Sequence, residues 1–337
     1  MSNHVFALRD RARAWGYASE AYAIEAKPGV EDTVLPYRRL FRTVQPDDLL
    51  LLHYSIGNEV FAQLAKLPCR KVLVYHNVTP PEFFSGINPH AAAFARLGRD
   101  QLASLAPNVE LAIGVSEFNR RELELAGFTN TITVPILIDW SALAVAPDPG
   151  VRAAWDGAAP KLLFVGRISP NKRQDELIRA LAYYRRCIDP DATLLLVGSF
   201  RDQPQYHQRL RALATSLGLD GAVVVTGPVG LAQLVAYYSV GSVYLSLSEH
   251  EGFGVPLLEA MHLGTPVVAL DTSAVGETVG SGGILLPKKD LALAAETCGV
   301  VVERSALRAS LVAAGHRRAE EFAADIVAER TRAALGL

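Results

Sequence analysis

An α/β fold with parallel sheets, divided between two domains, is what this sequence predicts, on three observations. Apolar runs of five to seven residues, rich in Val, Ile and Leu, recur along the chain, and their hydrophobicity is continuous rather than alternating. Continuous hydrophobicity marks strands covered on both faces, the habit of parallel sheets. Segments of helical period separate most of these runs, such as "DELIRALAYYRRC" and "PQYHQRLRALATSLGL". The chain has 337 residues, too many for one ordinary core and suited to two domains of about 150 residues each.

In order, the expected strands are "DLLLLHY", "KVLVYHN", "LAIGVS", "TITVPI", "KLLFVGR", "TLLLVGS", "AVVVTGP", "SVYLSLS", "PVVALD" and "GGILLP". A doubly wound domain usually begins with a strand and a glycine turn. This sequence instead opens on a helix, "SNHVFALRDRARAWG", with Ser2 or Asn3 as the expected N-cap and Gly16 as its stop. The first N-terminal strand is therefore expected to be missing, either because the true start lies upstream or because the sheet is built without it. Between about residues 139 and 160, "DWSALAVAPDPGVRAAWDGAAP" carries prolines and glycines and no strand pattern, and it reads as the connection between the domains.

Composition excludes several classes. Half the residues are apolar and 20% are charged, the balance of a soluble globular protein, and a net charge of −2 gives no global pull toward nucleic acid. Cys69, Cys187 and Cys298 are scattered without metal-ligand spacing, so they are expected as free, buried or half-buried thiols in a reducing compartment. No secretory signal or membrane-spanning stretch shows, and the expected location is the cytoplasm. The arginine groups "RDRARAW" and "YRRLFR" read first as solvated helix faces, with contact to anionic lipid or a phosphorylated acceptor as the alternative.

Chemistry concentrates where strands end. After "SVYLSLS" comes the loop "EHEGFG", then the helix "VPLLEAMHL", begun by Pro256 and stopped by Gly264. Gly252 and Gly254 let backbone approach a ligand closely, and the free amides at the helix start favour an anion such as a diphosphate. Glu251 lies in this loop and Glu259 one turn into the helix, where a carboxylate can accept hydrogen bonds from a ribose diol; an acid there is also favoured by the helix dipole alone. A second loop, "GRISPNKRQ", carries Gly166, Arg167 and Lys172 directly after a buried strand, two cations able to neutralise a leaving diphosphate or simply a solvated turn. It lacks the second glycine and Lys-Ser/Thr pair of a Walker A loop, and no G-x-G-x-x-G follows a strand, so a nicotinamide cofactor is poorly supported. In the N-terminal half, His76 and Asn77 end one strand, and Ser116 ends another, where it serves equally well as an N-cap. No cluster of metal ligands is expected.

The pieces "YHN", "GVSEFNRREL", "VGRISPNK", "TGPVG", "EHEGFGVPLLEAMHLGTPVVA" and "VGETVGSGGILL" resemble, in order and spacing, the retaining glycosyltransferases of family 4. That resemblance spans almost the whole chain. It implies a GT-B fold, two Rossmann-like domains facing across a cleft: an acceptor-side domain over 1–150, a nucleotide-sugar domain over 151–320, and a helix over 321–337 crossing back. It implies that Arg167 and Lys172 hold the donor diphosphate, and that Glu259 binds the ribose while Glu251 lies near the transferred sugar. Gly166, Gly252, Phe253 and Gly254 then border sugar or phosphate, Gly227 and Val229 lie along the base, and His76 faces sugar and acceptor, with Asn77 and Ser116 on the acceptor side. The implied reaction keeps anomeric configuration without metal, cofactor or covalent sugar intermediate: the diphosphate leaves on the face the acceptor attacks and takes its proton. The partners implied are a nucleotide-sugar donor (GDP-mannose or a UDP-sugar) and a glycan, lipid-linked or small-molecule acceptor, the lipid case implying peripheral contact with the inner face of a membrane. A sugar-nucleotide epimerase and a catalytically inactive transferase-like subunit are the alternative readings. The family's first strand and its glycine loop have no counterpart here.

Overall fold

The structure, a computed structural model, describes residues 2–26 and 31–337. They form two compact units: residues 1–81, 90–139 and 322–337 in the first, and 82–89 and 140–321 in the second.

The first unit opens on helix α1 (Ser2–Ala14), and Gly16 follows with φ +93°, the left-handed conformation that ends a helix. The Ser2 side chain expected as a cap lies outside the described residues, and Asn3 already sits inside the helix. The strands β1 (Leu49–Tyr54), β2 (Arg70–Tyr75), β3 (Leu111–Gly114) and β4 (Thr131–Thr133) form a parallel sheet in chain order. Strand order never reverses in this sheet, and β1 stands at one edge. Two further two-residue strands, Tyr22–Ala23 and Leu35–Pro36, pair with each other and not with it. They are too short to leave a hydrophobic pattern, and the sequence shows no sign of them. Helix α2 (Glu117–Leu125) follows β3, capped by Ser116.

The second unit is a six-stranded parallel sheet built from β5 (Lys161–Val165), β6 (Thr193–Val197), β7 (Val223–Gly227), β8 (Val243–Ser246), β9 (Val267–Leu270) and β10 (Ile284–Leu286). Their order is β10-β9-β8-β5-β6-β7. The chain winds outward from β5 to one edge, returns to β8 beside β5, and winds to the other edge. All five residues of β5 and all four of β8 and β9 are buried, which is why their hydrophobicity is continuous. All ten strands expected from the apolar runs are present, and every pairing among them is parallel.

Cys69 and Cys298 are buried free thiols, but Cys187 is exposed, a correction to the expected burial: it is the last residue of the helix Gln174–Cys187, beyond the stripe that packs on the sheet. Among the described residues no helix is long and apolar enough to cross a membrane.

Candidate active site

In an open parallel sheet the strand order reverses at one place, and the loops leaving the two strands there diverge to opposite faces and open a crevice at their carboxyl ends. In the second unit that place lies between β5 and β8, paired through Val243–Leu162 and Tyr244–Leu163. The loop after β5 carries Gly166, Arg167 and Lys172, and the loop after β8 carries Glu251, Gly252, Phe253 and Gly254. Two stretches almost 80 residues apart in sequence are thus neighbours because of sheet order alone.

Backbone and buried side chains stitch the loops together. Asn171, 3% exposed, donates from Nδ2 to the His250 carbonyl (3.0 Å), its own carbonyl accepts the Glu249 amide (2.9 Å), and its Oδ1 accepts the Ser169 hydroxyl (2.7 Å). Tyr244 donates its hydroxyl to the Val165 carbonyl (3.0 Å), tying β8 to β5 beneath the loops. Its burial, then the nearby Glu251 and Glu259 carboxylates, push the phenol well above its ordinary range, so it stays a neutral donor.

On this platform the Lys172 ammonium and Glu251 carboxylate meet at 2.5 Å, both largely buried at 17% and 15% side-chain exposure. The Lys172 ammonium also lies 3.5 Å from the His250 carbonyl. The Glu251 amide donates to the Ser273 hydroxyl (2.8 Å), which pins that end of the loop. Arg167 is exposed; Asp202 is 3.8 Å from its guanidinium, a loose surface pair. The loops after β5 and β6 run closely together: the Gly166 amide donates to the Val197 carbonyl (2.9 Å), and a Cβ placed on Gly198 would stand 2.1 Å from the Gly166 carbonyl oxygen.

The helix α3 (Val255–His262) begins directly after Gly254, whose φ of +94° only glycine adopts at little cost. It ends at Gly264, φ +77°, the expected stop. Phe253 is buried, and its carbonyl accepts the Thr278 hydroxyl (2.6 Å). Glu259 is half-buried, and its Oε2 accepts the Tyr238 hydroxyl (2.8 Å). Burial holds the Glu259 carboxyl above its ordinary range, an effect that the Tyr238 hydrogen bond opposes. Gly227, φ +74°, closes β7, with half-buried Val229 two residues on.

Charged groups that the motifs did not single out also pair across these two loops. Arg173, in the left-handed region at φ +51°, bonds to Glu176 (2.5 Å) and Asp175 (3.3 Å) and reaches Glu249 (3.4 Å); Lys289 pairs with Glu176 (3.1 Å) and with Glu249. Glu249 stands in the same run as Glu251, and a count of acids in "SEHEGF" is the one sequence signal that could have found it.

The other expected residues belong to the first unit. Ser116 is fully buried and its hydroxyl accepts the Asn119 amide (3.1 Å), so of its two readings the cap is what the structure shows. Asn77, φ +79°, donates to Asn119 (2.9 Å) and to Glu122 (2.6 Å), and Glu122 in turn pairs with Arg99 (3.0 Å). His76 lies in a group of three imidazoles: its Nε2 is 2.9 Å from Nδ1 of His53, and His4 packs edge-on to both rings, 5.4 Å from His53 and 5.3 Å from His76. Burial, and next the neighbouring rings, hold His76 and His4 well below the ordinary imidazole range, and burial brings His53 down to about 4. Such a cluster of three imidazoles was not among the expectations from the sequence. Sequence spacing cannot show this one, because its members meet only through the pairing of β1 with β2 and the packing of α1.

Two adjoining loops at the reversal point of a six-stranded parallel sheet, with cations, acids and a helix start, define a doubly wound α/β unit. Residues 152–318 match the group 1 glycosyl transferases and belong to that family. The chain is 30% identical over 257 residues to the D-inositol 3-phosphate glycosyltransferase of Kineococcus radiotolerans, covering 70% of this chain and 58% of that protein. It is 29% identical over 222 residues to the phosphatidyl-myo-inositol mannosyltransferase of Mycobacterium leprae, covering 65% and 56%. The matched region thus spans somewhat over half of each of these relatives. Among solved structures, HepE of Anabaena, in complex with UDP and glucose, superposes with a TM-score of 0.78 at 20% identity over 99% of this chain and 95% of that one. Sucrose-phosphate synthase of Thermosynechococcus elongatus does so with 0.76 at 21% identity over 98% and 91%. The fold is that of these GT-B proteins.

Proposed function

We propose that the chain is a retaining glycosyltransferase that moves a hexose from a nucleotide-diphosphate sugar to a glycan, lipid-linked or small-molecule acceptor without a metal ion. The observation that carries this reading is the convergence of Lys172 and Glu251, from loops after β5 and β8, at the reversal point of the sheet, beside the start of α3. In this reading Lys172 and Arg167 receive the diphosphate and stabilise its departure, helped by backbone amides at Gly252–Gly254. Glu259 and the Tyr238 hydroxyl face the ribose, Gly227 and Val229 the base, and Glu251 the sugar being moved. The departing diphosphate oxygen takes the proton of the attacking hydroxyl, so no protein base is required. The names of relatives favour a mannosyl or related donor and a phosphoinositol-type acceptor, and the UDP complexes keep uridine donors in view. The reading places the chain in the cytoplasm, at the membrane surface where the acceptor is lipid-linked.

The test screens GDP, UDP, GDP-mannose and UDP-hexoses for a rise in melting temperature, then measures release of nucleoside diphosphate with and without candidate acceptors in EDTA. One nucleotide class should raise the melting temperature, since a ligand that binds only the folded state stabilises it. Acceptor-dependent release that survives EDTA supports the reading. Conversion of the nucleotide sugar with no acceptor, or strict dependence on a metal, overturns it.

A further inference from the structure

We propose that His4, His53 and His76 form a binding site for one divalent transition-metal ion of the zinc class, with its remaining position taken by water. The three residues come from α1, β1 and the end of β2, and one nitrogen from each lies within 4.8 Å of the other two. Among the described residues this is the one such group of histidine, cysteine or carboxylate side chains.

The hydrogen bonding of the cluster is incomplete. Three neutral imidazoles carry three N–H donors and three lone pairs, yet they exchange a single hydrogen bond, between His53 and His76. His4 is 4% exposed, and its Nδ1 is buried without a hydrogen-bond partner. A buried polar atom left unpaired costs on the order of 1–3 kcal/mol, and a cation among the rings would satisfy it. Imidazole nitrogens suit zinc and its neighbours, whereas calcium and magnesium prefer oxygen ligands that this cluster lacks. A tetrahedral zinc site with bonds of about 2.0–2.1 Å sets its nitrogens about 3.3 Å apart. The His53–His76 pair, at 2.9 Å, would open slightly as the metal replaces the shared proton, and the His4 ring would close the remaining gap by rotating. His53 and His76 are half-buried rather than fully buried, so the cluster is not wholly sealed from solvent.

The test uses the chain without a polyhistidine tag, stripped with chelator and titrated with zinc chloride against a chromophoric zinc indicator, then with cobalt chloride as a spectroscopic probe of geometry. One equivalent of zinc should bind, with a tetrahedral cobalt spectrum, and His4→Gln and His53→Gln should each weaken binding by more than the ten- to hundredfold that loss of an outer-sphere partner costs. In the native chain, zinc should also protect His53 and His76 from diethyl pyrocarbonate, a readout that holds even if the variants do not fold. No stoichiometric binding, undiminished binding in both variants, or protection found instead at His90, His207, His250, His262 or His316 overturns the proposal. None of these readouts depends on sugar transfer, so the site stands or falls independently of the proposed activity.

Discussion

The Lys172 ammonium and the Glu251 carboxylate lie 2.5 Å apart, joining the loop after β5 to the loop after β8. In the proposed function, a diphosphate arriving at Lys172 competes with a charge already in place. Replacing Glu251 by Gln releases the lysine, so the Glu251→Gln chain is expected to bind the preferred nucleoside diphosphate more tightly, by up to about tenfold, while losing transfer. Titration calorimetry beside a turnover assay checks this; weaker diphosphate binding with transfer intact would remove Glu251 from the site. Lys172→Ala should lose at least about a hundredfold in donor affinity or turnover, roughly 3 kcal/mol.

Arg167 and Asn171 separate recognition from scaffolding. Arg167 is exposed and only loosely paired, so Arg167→Ala should change stability by less than about 0.5 kcal/mol yet weaken diphosphate binding. The buried Asn171 side chain makes two hydrogen bonds, so Asn171→Ala should cost roughly 2 kcal/mol or more and disturb both loops. Urea unfolding and nucleotide binding, measured on both variants, give the contrast; equal stability losses would contradict it.

Gly198 offers a steric test. A Cβ there meets the Gly166 carbonyl at 2.1 Å, backbone that cannot swing aside, and Gly198→Ala should cost more than about 3 kcal/mol and displace the loop after β5. At Gly218, φ +67° and open around its Cα, alanine meets only left-handed strain, about 1–2 kcal/mol. Melting temperatures that fall equally in the two variants would show that the β5 and β6 loops yield more easily than their packing implies.

Glu259 makes a pH prediction. Its carboxyl is held above the ordinary value of 4.5 by burial, so between the unfolded and the folded pKa the native state holds the proton more firmly. The carboxyl's contribution is therefore greatest below the unfolded value and declines as pH rises through the folded one. Glu259→Gln should remove that decline, so the stability gap between the variant and the native chain shifts in the variant's favour from pH 4.5 to 7. Urea unfolding at the two pH values measures it, and a gap independent of pH would show no such shift.

Most of the scaffold was legible in the sequence. The ten strands announced themselves because two-sided burial leaves unbroken apolar runs, and Gly16 and Gly264 because a left-handed helix end selects glycine. The Lys172–Glu251 contact was not legible, although both residues were, because it depends on which strands are neighbours. Asn171, Arg173, Glu249 and Lys289 were missed for the same reason: each is an ordinary polar residue until strand order brings its loop beside another. The histidine cluster shows this most plainly, since His4 lies 49 positions from His53 and 72 from His76.

The pairing of β5 with β8 is also the shortest in its sheet: Val243–Leu162 and Tyr244–Leu163, against five residue pairs joining β5 to β6. A ligand bridging the loops above that join would act as a clasp for two half-sheets, and its affinity would be felt as mechanical strength along the shortest pairing of the unit. Amide hydrogen exchange at Ser242, whose amide donates across the join to the Lys161 carbonyl (2.9 Å), should slow on nucleotide binding more than at the centres of β6 or β9. In that sense occupancy and cohesion of the second unit are one equilibrium seen from two sides.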